Sequence, residues 1–201
     1  LLDFTHPEAY AYWRDRHREL FDLGVDMIKP DFGEQVEPHA RAYDGAQGDA
    51  LHNVYALLYN RCVYEAASRY AKGGAFLFSR AAWAGSQRYP AQWGGDPQAD
   101  WGGLAASIRG GLSWGLTGAP YYATDVGGFY GDQRDPLLYV RWAQASVFSA
   151  HMRLHGIGAR EPWSYGAQAE RAAMDAFELR YRLLPYLWRA VEQASATGLP
   201  V

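Results

Sequence analysis

Short apolar runs alternate with longer segments of helical periodicity along this chain, and the alternation limits the possible folds more than any other feature. Hydrophobic periodicity predicts helices over residues 7–23, 49–72, 101–116, 136–151 and 167–196. Short apolar runs predict strands over residues 25–29, 75–80, 91–93, 120–124 and 152–156. Strands separated by helices pair in parallel through right-handed crossovers. The sequence therefore predicts an α/β fold around a parallel sheet.

Charged side chains follow the ends of four predicted strands: Lys29 and Asp31, then Arg80, Asp96 and Asp125. The carboxyl ends of parallel strands share one edge of a sheet and carry the chemistry in α/β barrels, so we expect these groups to face one site. Two carboxylates in unequal environments suit glycosidic bond cleavage, one as nucleophile or base and the other as acid. The residues alone leave open which carboxylate takes which role.

The composition narrows the class of protein. With 49% hydrophobic and 20% charged residues, the 201-residue chain can bury a core. A net charge of −3 lacks the basic excess of a nucleic-acid-binding surface. The single cysteine, Cys62, permits neither an intrachain disulfide nor a cysteine-based zinc site. No apolar run of about 18 residues predicts a membrane span. No signal peptide is visible after Leu1, and the compartment and oligomeric state are not predicted.

Residues 29–34 (KPDFGE) resemble the nucleophile motif of glycoside hydrolase family 31, in the branch that contains α-xylosidases. Further segments resemble later motifs of that family, in the expected order: residues 77–80 (LFSR), 92–96 (QWGGD), 109–113 (RGGLS), 124–129 (TDVGGF), 153–156 (RLHG) and 182–187 (RLLPYL). Each motif is weak by itself. Together they run through nearly the whole chain and are highly specific.

The resemblance implies a retaining α-glycosidase on a (β/α)8 TIM barrel, which hydrolyses terminal non-reducing α-linked xylose or glucose from oligosaccharides by double displacement. It implies Asp31 as the nucleophile and Asp96 as the general acid/base. It also implies a sugar subsite lined by Lys29, Arg80, Trp93 and Asp125. Glu34 is expected to support the site rather than to react. No cofactor and no metal are expected, and the expected partner is an oligosaccharide, not a nucleic acid or a membrane.

By the same resemblance, residues 1–201 form the C-terminal portion of the barrel, from about the fourth to the eighth strand–helix unit, without a second domain. The first three strands and the accessory β-domains of the family are absent from this sequence. An alternative is therefore a catalytically inactive carbohydrate-binding fragment, although a binding module has no need for both Asp31 and Asp96. A phosphate-binding aldolase-type barrel fits less well. Such an enzyme needs a glycine-rich anion loop near the last strands and a buried lysine. Gly127-Gly128 fits such a loop poorly, and Lys29 fits such a lysine poorly because it lies close to Asp31.

Several of these residues also have simpler interpretations. Instead of binding sugar, Asp125 is alternatively a residue that caps or hydrogen-bonds the Gly127-Gly128 turn. Instead of acting as the acid/base, Asp96 is alternatively a turn carboxylate before Pro97. For Arg80 the simpler interpretation is an ion pair with Asp31 or Asp125, and such a pair is compatible with a role in the sugar subsite.

Two further expectations involve histidine, one at Thr124 and one at the pair His151 and His155. Many relatives in this branch have His where Thr124 stands, so we expect a different hydroxyl preference here. His151 and His155 have the spacing of a helical zinc pair, but no third ligand is evident and Gly156 ends the helix. We therefore expect no metal site at this pair.

Overall fold

The computed structural model describes residues 1–89, 91–131 and 134–201. The chain divides into two compact units, Leu1–Gln92 and Trp93–Val201, which we call the N-terminal unit and the C-terminal unit. Each unit is described by itself below. The prediction that residues 1–201 form one partial barrel domain stays a prediction.

The N-terminal unit contains three helices: α1 (Pro7–Arg16), α2 (Arg18–Asp22) and α3 (Gly48–Tyr70). Pro7 occupies the first turn of α1, where its missing N–H costs nothing. The single helix predicted over residues 7–23 is broken at His17. The His17 ring nitrogen Nδ1 lies 2.8 Å from the Trp13 carbonyl oxygen, which the His17 N–H would otherwise bond. The His17 N–H is instead directed to the Arg14 carbonyl, at 3.4 Å.

Strand β1 (Phe78–Ser79) pairs in parallel with β2 (Ala91–Trp93), with Phe78 opposite Ala91 and Ser79 opposite Gln92. The predicted buried strand over residues 25–29 is wrong. Only Ile28 within it forms a bridge, to Leu77, and Val25 and Met27 are exposed. The Val25 N–H instead donates to the Leu20 carbonyl and closes the turn after α2.

The core of the N-terminal unit forms on one side of α3. Leu51, Tyr55 and Cys62 of this helix pack against Phe4 and Val36 from the preceding segments. A second cluster joins Val63 to Leu77 and Tyr89. Since Leu77 immediately precedes β1, helix α3 supports the strand that delivers Arg80.

The C-terminal unit contains α4 (Trp101–Gly115), β3 (Tyr121–Ala123), α5 (Pro136–Ser146) and the long α6 (Ala167–Thr197). A 3-10 helix (Pro162–Tyr165) precedes α6, as another (Ser86–Arg88) precedes β2 in the N-terminal unit. Two aspartates cap the helices that begin after loops. Asp100 accepts the Gly103 N–H at 2.6 Å, and Asp135 accepts the Leu137 N–H at 2.9 Å. Such side-chain oxygens satisfy amides that the helix cannot.

The core of the C-terminal unit is formed by α4, the segment after β3, α5 and the start of α6. Its fully buried members are Val126, Tyr139, Trp142, Ala143 and Ala173. Tyr139 stacks on Tyr165 with a centroid distance of 3.9 Å. This packing fixes the residues that directly follow β3.

One helix of the C-terminal unit differs from the prediction. Helix α5 ends at Ser146 rather than at residue 151, because the Arg180 guanidinium donates to the carbonyls of Val147, Ser149 and Ala150. Helix α6 (Ala167–Thr197) matches the helix predicted over residues 167–196 and includes Pro185. The predicted strand over residues 152–156 is reduced to a parallel bridge between Arg153 and Asp125.

Three short strands are present in the described ranges, fewer than the eight of a closed (β/α)8 barrel. Assignment of the chain to the fourth to eighth barrel units stays a prediction. No helix in the described part of the chain is both long and apolar enough to cross a bilayer.

Candidate functional site

In the N-terminal unit, residues 28–34 place two charged side chains next to the end of β1. The Phe78 N–H donates to the Ile28 carbonyl at 3.1 Å, and the Arg80 N–H donates to the Pro30 carbonyl at 3.3 Å. Pro30 is fully buried. The backbone is thus anchored on both sides of Lys29, and Asp31 follows at the point where the segment leaves the sheet.

The Asp31 carboxylate is held by two cations. Arg80 Nη1 lies 2.9 Å from Asp31 Oδ1, and Lys29 Nζ lies 3.5 Å from Asp31 Oδ2. The Phe32 N–H also donates to Oδ1 at 2.9 Å. The Asp31 side chain retains 40% of its exposure. It is therefore an oriented anion that a ligand can still reach.

Arg80 is the centre of this cluster. Its Nε lies 2.8 Å from Glu34 Oε1 and its Nη2 lies 3.1 Å from Glu34 Oε2, which is a bidentate pair. Its Cζ lies 4.3 Å from the centroid of the Phe32 ring, within cation–π range. Only 14% of the Arg80 side chain is exposed. The guanidinium is thus held at one edge and against one face.

Phe32 and Gly33 both have left-handed backbone, with φ of 60° and 100°. This conformation costs an L-residue about 1–2 kcal/mol, and such strain concentrates at functional sites. A Cβ on Gly33 would lie 3.2 Å from the Tyr59 ring and 3.4 Å from Ala81 Cβ. Burial, and secondarily the Asp31 charge, raise the pKa of Tyr59. The tight turn thus brings Asp31 and Glu34 back to the same guanidinium.

In the C-terminal unit, Trp93 and Asp96 flank a glycine pair. The Gly94 N–H donates to the Ala123 carbonyl at 3.2 Å, and Gly95 has φ of 77°. A Cβ on Gly94 would overlap the Tyr122 phenol oxygen. Trp93 is buried, and Asp96 is partly buried in the loop before α4. Glycine is required at position 94 because the chain passes directly against Tyr122.

Asp125 is fully buried after β3, and its carboxylate binds a cation. Arg153 Nε donates to Asp125 Oδ1 at 2.6 Å. The Arg153 Cζ also lies 4.9 Å from the Trp93 ring centroid. The turn at Gly127-Gly128 uses the backbone of Asp125, whose carbonyl accepts the Gly128 N–H at 3.0 Å. Arg153 therefore connects two predicted site residues, Trp93 and Asp125.

The loop after Asp125 is fastened by a second buried arginine. Arg160 donates through Nε to the Gly128 carbonyl at 2.6 Å and through Nη2 to the Gly131 carbonyl at 3.0 Å. It also donates to the carbonyls of Phe129 and Ala159. The Tyr139 hydroxyl donates to the Arg160 carbonyl at 2.8 Å. The loop conformation is thus tied to the core of the C-terminal unit.

Thr124 directly follows β3. It lines a cavity of about 290 Å³ together with Leu104 and Trp142. The expected effect of Thr124 on hydroxyl preference stays a prediction.

The predicted site residues form one cluster within each unit. Lys29, Asp31 and Arg80 are in contact in the N-terminal unit. Arg153 joins Trp93 to Asp125 in the C-terminal unit, where Asp96 follows Trp93 by three residues. In the described ranges, no group of three or more His, Cys, Asp or Glu side chains is placed to hold a metal ion.

Two arginines, Arg153 and Arg160, were missed as site-forming residues. Arg153 lies within the strand predicted over residues 152–156, so its position could have indicated a site residue. Arg160 lies outside every motif identified in the sequence. In both cases the partners are about thirty residues away in the chain, at Asp125 and at Gly128, and no local pattern indicates them.

Comparison with known proteins gives a consistent result. The family model for the glycosyl hydrolases family 31 TIM-barrel domain matches residues 1–190. An α-xylosidase from Emericella nidulans is 39% identical over 204 residues, covering 100% of this chain and 26% of that protein. Alpha-glucosidase 2 from Bacillus thermoamyloliquefaciens is 33% identical, covering 99% of this chain and 27% of that protein. This chain thus spans about a quarter of the length of these curated relatives.

Solved structures agree with the sequence match. The crystal structure of a GH31 α-xylosidase from a soil metagenome, complexed with xylose, gives a TM-score of 0.90 at 32% identity. The match covers 99% of this chain and 34% of that one. The chain belongs to glycosyl hydrolase family 31, because the model of that family's TIM-barrel domain matches its residues 1–190.

Proposed function

We propose that the protein is a retaining α-glycosidase that hydrolyses terminal non-reducing α-linked xylose or glucose from oligosaccharides by double displacement. The observation that carries the proposal is the Asp31 carboxylate, held on its two oxygens by Arg80 and Lys29 yet open to a ligand. Family membership and the α-xylosidase and α-glucosidase relatives support the reaction and the two sugars.

In the proposed reaction, Asp31 attacks the anomeric carbon while Asp96 gives a proton to the leaving oxygen. A covalent glycosyl-enzyme forms and the aglycone departs. The Asp96 carboxylate then takes a proton from water, which attacks the anomeric carbon and frees Asp31. Two displacements return the original anomeric configuration. That these two carboxylates act on one glycosidic bond rests on the family to which the chain belongs.

The proposed sugar subsite uses Lys29, Arg80, Trp93 and Asp125. The ammonium and guanidinium groups beside Asp31 are donors suited to sugar hydroxyls. Trp93 offers an apolar face and an indole N–H. Asp125 is fully buried, so its contribution runs through the Arg153 side chain that it holds. Every group in the reaction belongs to a side chain or to water, and the proposal includes no cofactor.

The test is turnover of p-nitrophenyl α-xyloside and α-glucoside by the full-length gene product. Asp31→Ala and Asp96→Ala are compared with Asp26→Ala, an exposed carboxylate a few residues away. We expect Asp31→Ala to abolish nitrophenol release and Asp26→Ala to leave it unchanged. The preferred aryl glycoside identifies the sugar.

The two carboxylate roles are separated by azide, a nucleophile that needs no base. With Asp31→Ala, azide restores turnover as the β-glycosyl azide. With Asp96→Ala, it restores turnover as the α-glycosyl azide. Turnover indifferent to both substitutions rules the mechanism out. If neither substrate is turned over but calorimetry still detects sugar binding, the binding-fragment alternative is favoured.

A further inference from the structure

The loop at residues 81–89 of the N-terminal unit begins against the segment that carries Asp31. The buried Asn60 side chain of α3 donates through Nδ2 to the Ala81 carbonyl at 2.8 Å. On the other side, a Cβ added to Gly33 would lie 3.4 Å from Ala81 Cβ. Since Gly33 is two residues after Asp31, the start of the loop packs beside the proposed nucleophile.

This loop presents an exposed tryptophan. Trp83 retains 47% of its exposure, whereas Ala81, Ser86 and Tyr89 of the same loop are buried. Two residues of chain span at most about 7 Å, so the backbone of Trp83 lies within that distance of Ala81. An accessible indole is therefore placed close to the segment that carries Asp31.

The backbone on both sides of Trp83 is held in place. Ser86 Oγ accepts the Trp83 N–H at 3.0 Å, and the Ser86 N–H donates to the Trp83 carbonyl at 2.9 Å. The buried Gln92 side chain donates to the carbonyls of Ser86 and Tyr89. A loop that is already ordered loses little conformational freedom when a ligand binds to it. The indole is thus presented to a ligand at a fixed place.

We propose that Trp83 binds the leaving-group sugar, the unit on the reducing side of the cleaved bond, through its indole face. The inference rests on the proposed function, in which the terminal sugar occupies the subsite beside Asp31. Because that function removes only the terminal sugar, the rest of the oligosaccharide extends from this subsite towards solvent. The C–H groups of a pyranose ring form an apolar face that suits a flat aromatic side chain.

Two substrates that share the transferred sugar and differ in the leaving group test the inference. Maltose places a sugar ring in the proposed contact with Trp83, whereas α-glucosyl fluoride releases only fluoride. An α-xylosyl-glucose disaccharide and α-xylosyl fluoride replace them if the aryl glycosides show that xylose is preferred. The ratio of kcat/KM for the disaccharide to kcat/KM for the fluoride measures the contribution of the leaving-group sugar.

In the full-length protein, Trp83→Ala should lower this ratio about tenfold, the effect of truncating an aromatic anchor. Trp83→Phe keeps a flat apolar ring and should restore most of the ratio. Trp83→Leu is apolar but not flat, so it should lower the ratio as alanine does, and it serves if the alanine variant does not fold. Tyr12→Ala, which removes an exposed ring from α1, is the matched control.

Calorimetry in the Asp31→Ala background gives a readout that needs no turnover. There Trp83→Ala should weaken the binding of maltose about tenfold and the binding of methyl α-glucoside less than about twofold. Equal weakening of the two ligands contradicts the inference, because methyl α-glucoside has no second sugar ring.

A kinetic ratio that Trp83→Ala leaves unchanged also overturns the inference, whether activity on both substrates falls equally or not at all. Wild-type turnover that is absent, or that is insensitive to Asp31→Ala, contradicts the proposed function instead. The two failures are therefore distinguishable.

Discussion

Gly128 is the position where the loop after Asp125 has least room for a side chain. Its φ is +82°, and an added Cβ would lie 2.7 Å from the Ala99 amide nitrogen and 2.8 Å from the Gln98 carbonyl oxygen. These are backbone atoms, which cannot rotate away. The two segments are also joined by hydrogen bonds of 2.7 Å, from the Phe129 N–H to the Pro97 carbonyl and from the Ala99 N–H to the Tyr130 carbonyl.

The cost of Gly128→Ala has two parts. A left-handed conformation costs an L-residue about 1 kcal/mol. Forcing a methyl group into filled space costs about 1–3 kcal/mol more. The sum is about 2–4 kcal/mol. Gly198→Ala is the matched control, because Gly198 is left-handed, with φ of 76° and ψ of 4°, and an added Cβ meets nothing within 4 Å. That variant should lose only the first part.

Hydrogen exchange read by mass spectrometry measures the free energy of local opening in the full-length protein. For peptides covering residues 97–99 and 127–131, Gly128→Ala should lower protection at least about thirtyfold, since 1.4 kcal/mol is tenfold. Gly198→Ala should lower protection of its own peptide about fivefold. Equal losses in the two variants would show that the contact with residues 98–99 does not limit this loop, and the reasoning would fail.

Two further predictions concern ionisable groups. Burial, and secondarily Arg180, lower the pKa of His151, so the unfolded state binds more protons and this residue removes stability as pH falls below about 6.5. His151→Gln should flatten the fall of Tm between pH 7.5 and 5.5, and an unchanged slope contradicts the assignment. Asp125→Ala leaves the largely buried Arg153 without its carboxylate and should destabilise the protein by about 3–5 kcal/mol in urea unfolding. A loss below about 1 kcal/mol, no larger than for the exposed Asp26→Ala, would contradict this.

Helices were predicted more accurately from the sequence than strands, for a physical reason. Helix starts carry local signals, such as Asp100 and the Asp135-Pro136 pair, and α4 and α5 begin where these signals place them. Strand 91–93 was also predicted correctly. The segment at residues 25–29 was not, because a strand depends on distant partners, and here the first residues turn back onto α2.

The candidate site divides in the same way. The contact of Lys29, Asp31 and Arg80 was expected from two parallel strand ends, and it forms although the first of these strands is reduced to the bridge between Ile28 and Leu77. The bidentate use of Glu34 and the cation held by Asp125 do not follow. Which anion a guanidinium selects depends on side-chain orientation at a tight turn, and periodicity carries no information about that.

The loop at residues 127–131 differs from the Asp125–Arg153 pair in the chemistry of its acceptors. The acceptors that bind Arg160 are the main-chain carbonyls of Gly128, Phe129, Gly131 and Ala159. A backbone carbonyl belongs to every residue type, so a substitution of a loop side chain does not remove the acceptor itself. The anchoring of this loop therefore depends on its backbone conformation and on Arg160, whereas the Asp125–Arg153 pair depends on the identity of both side chains.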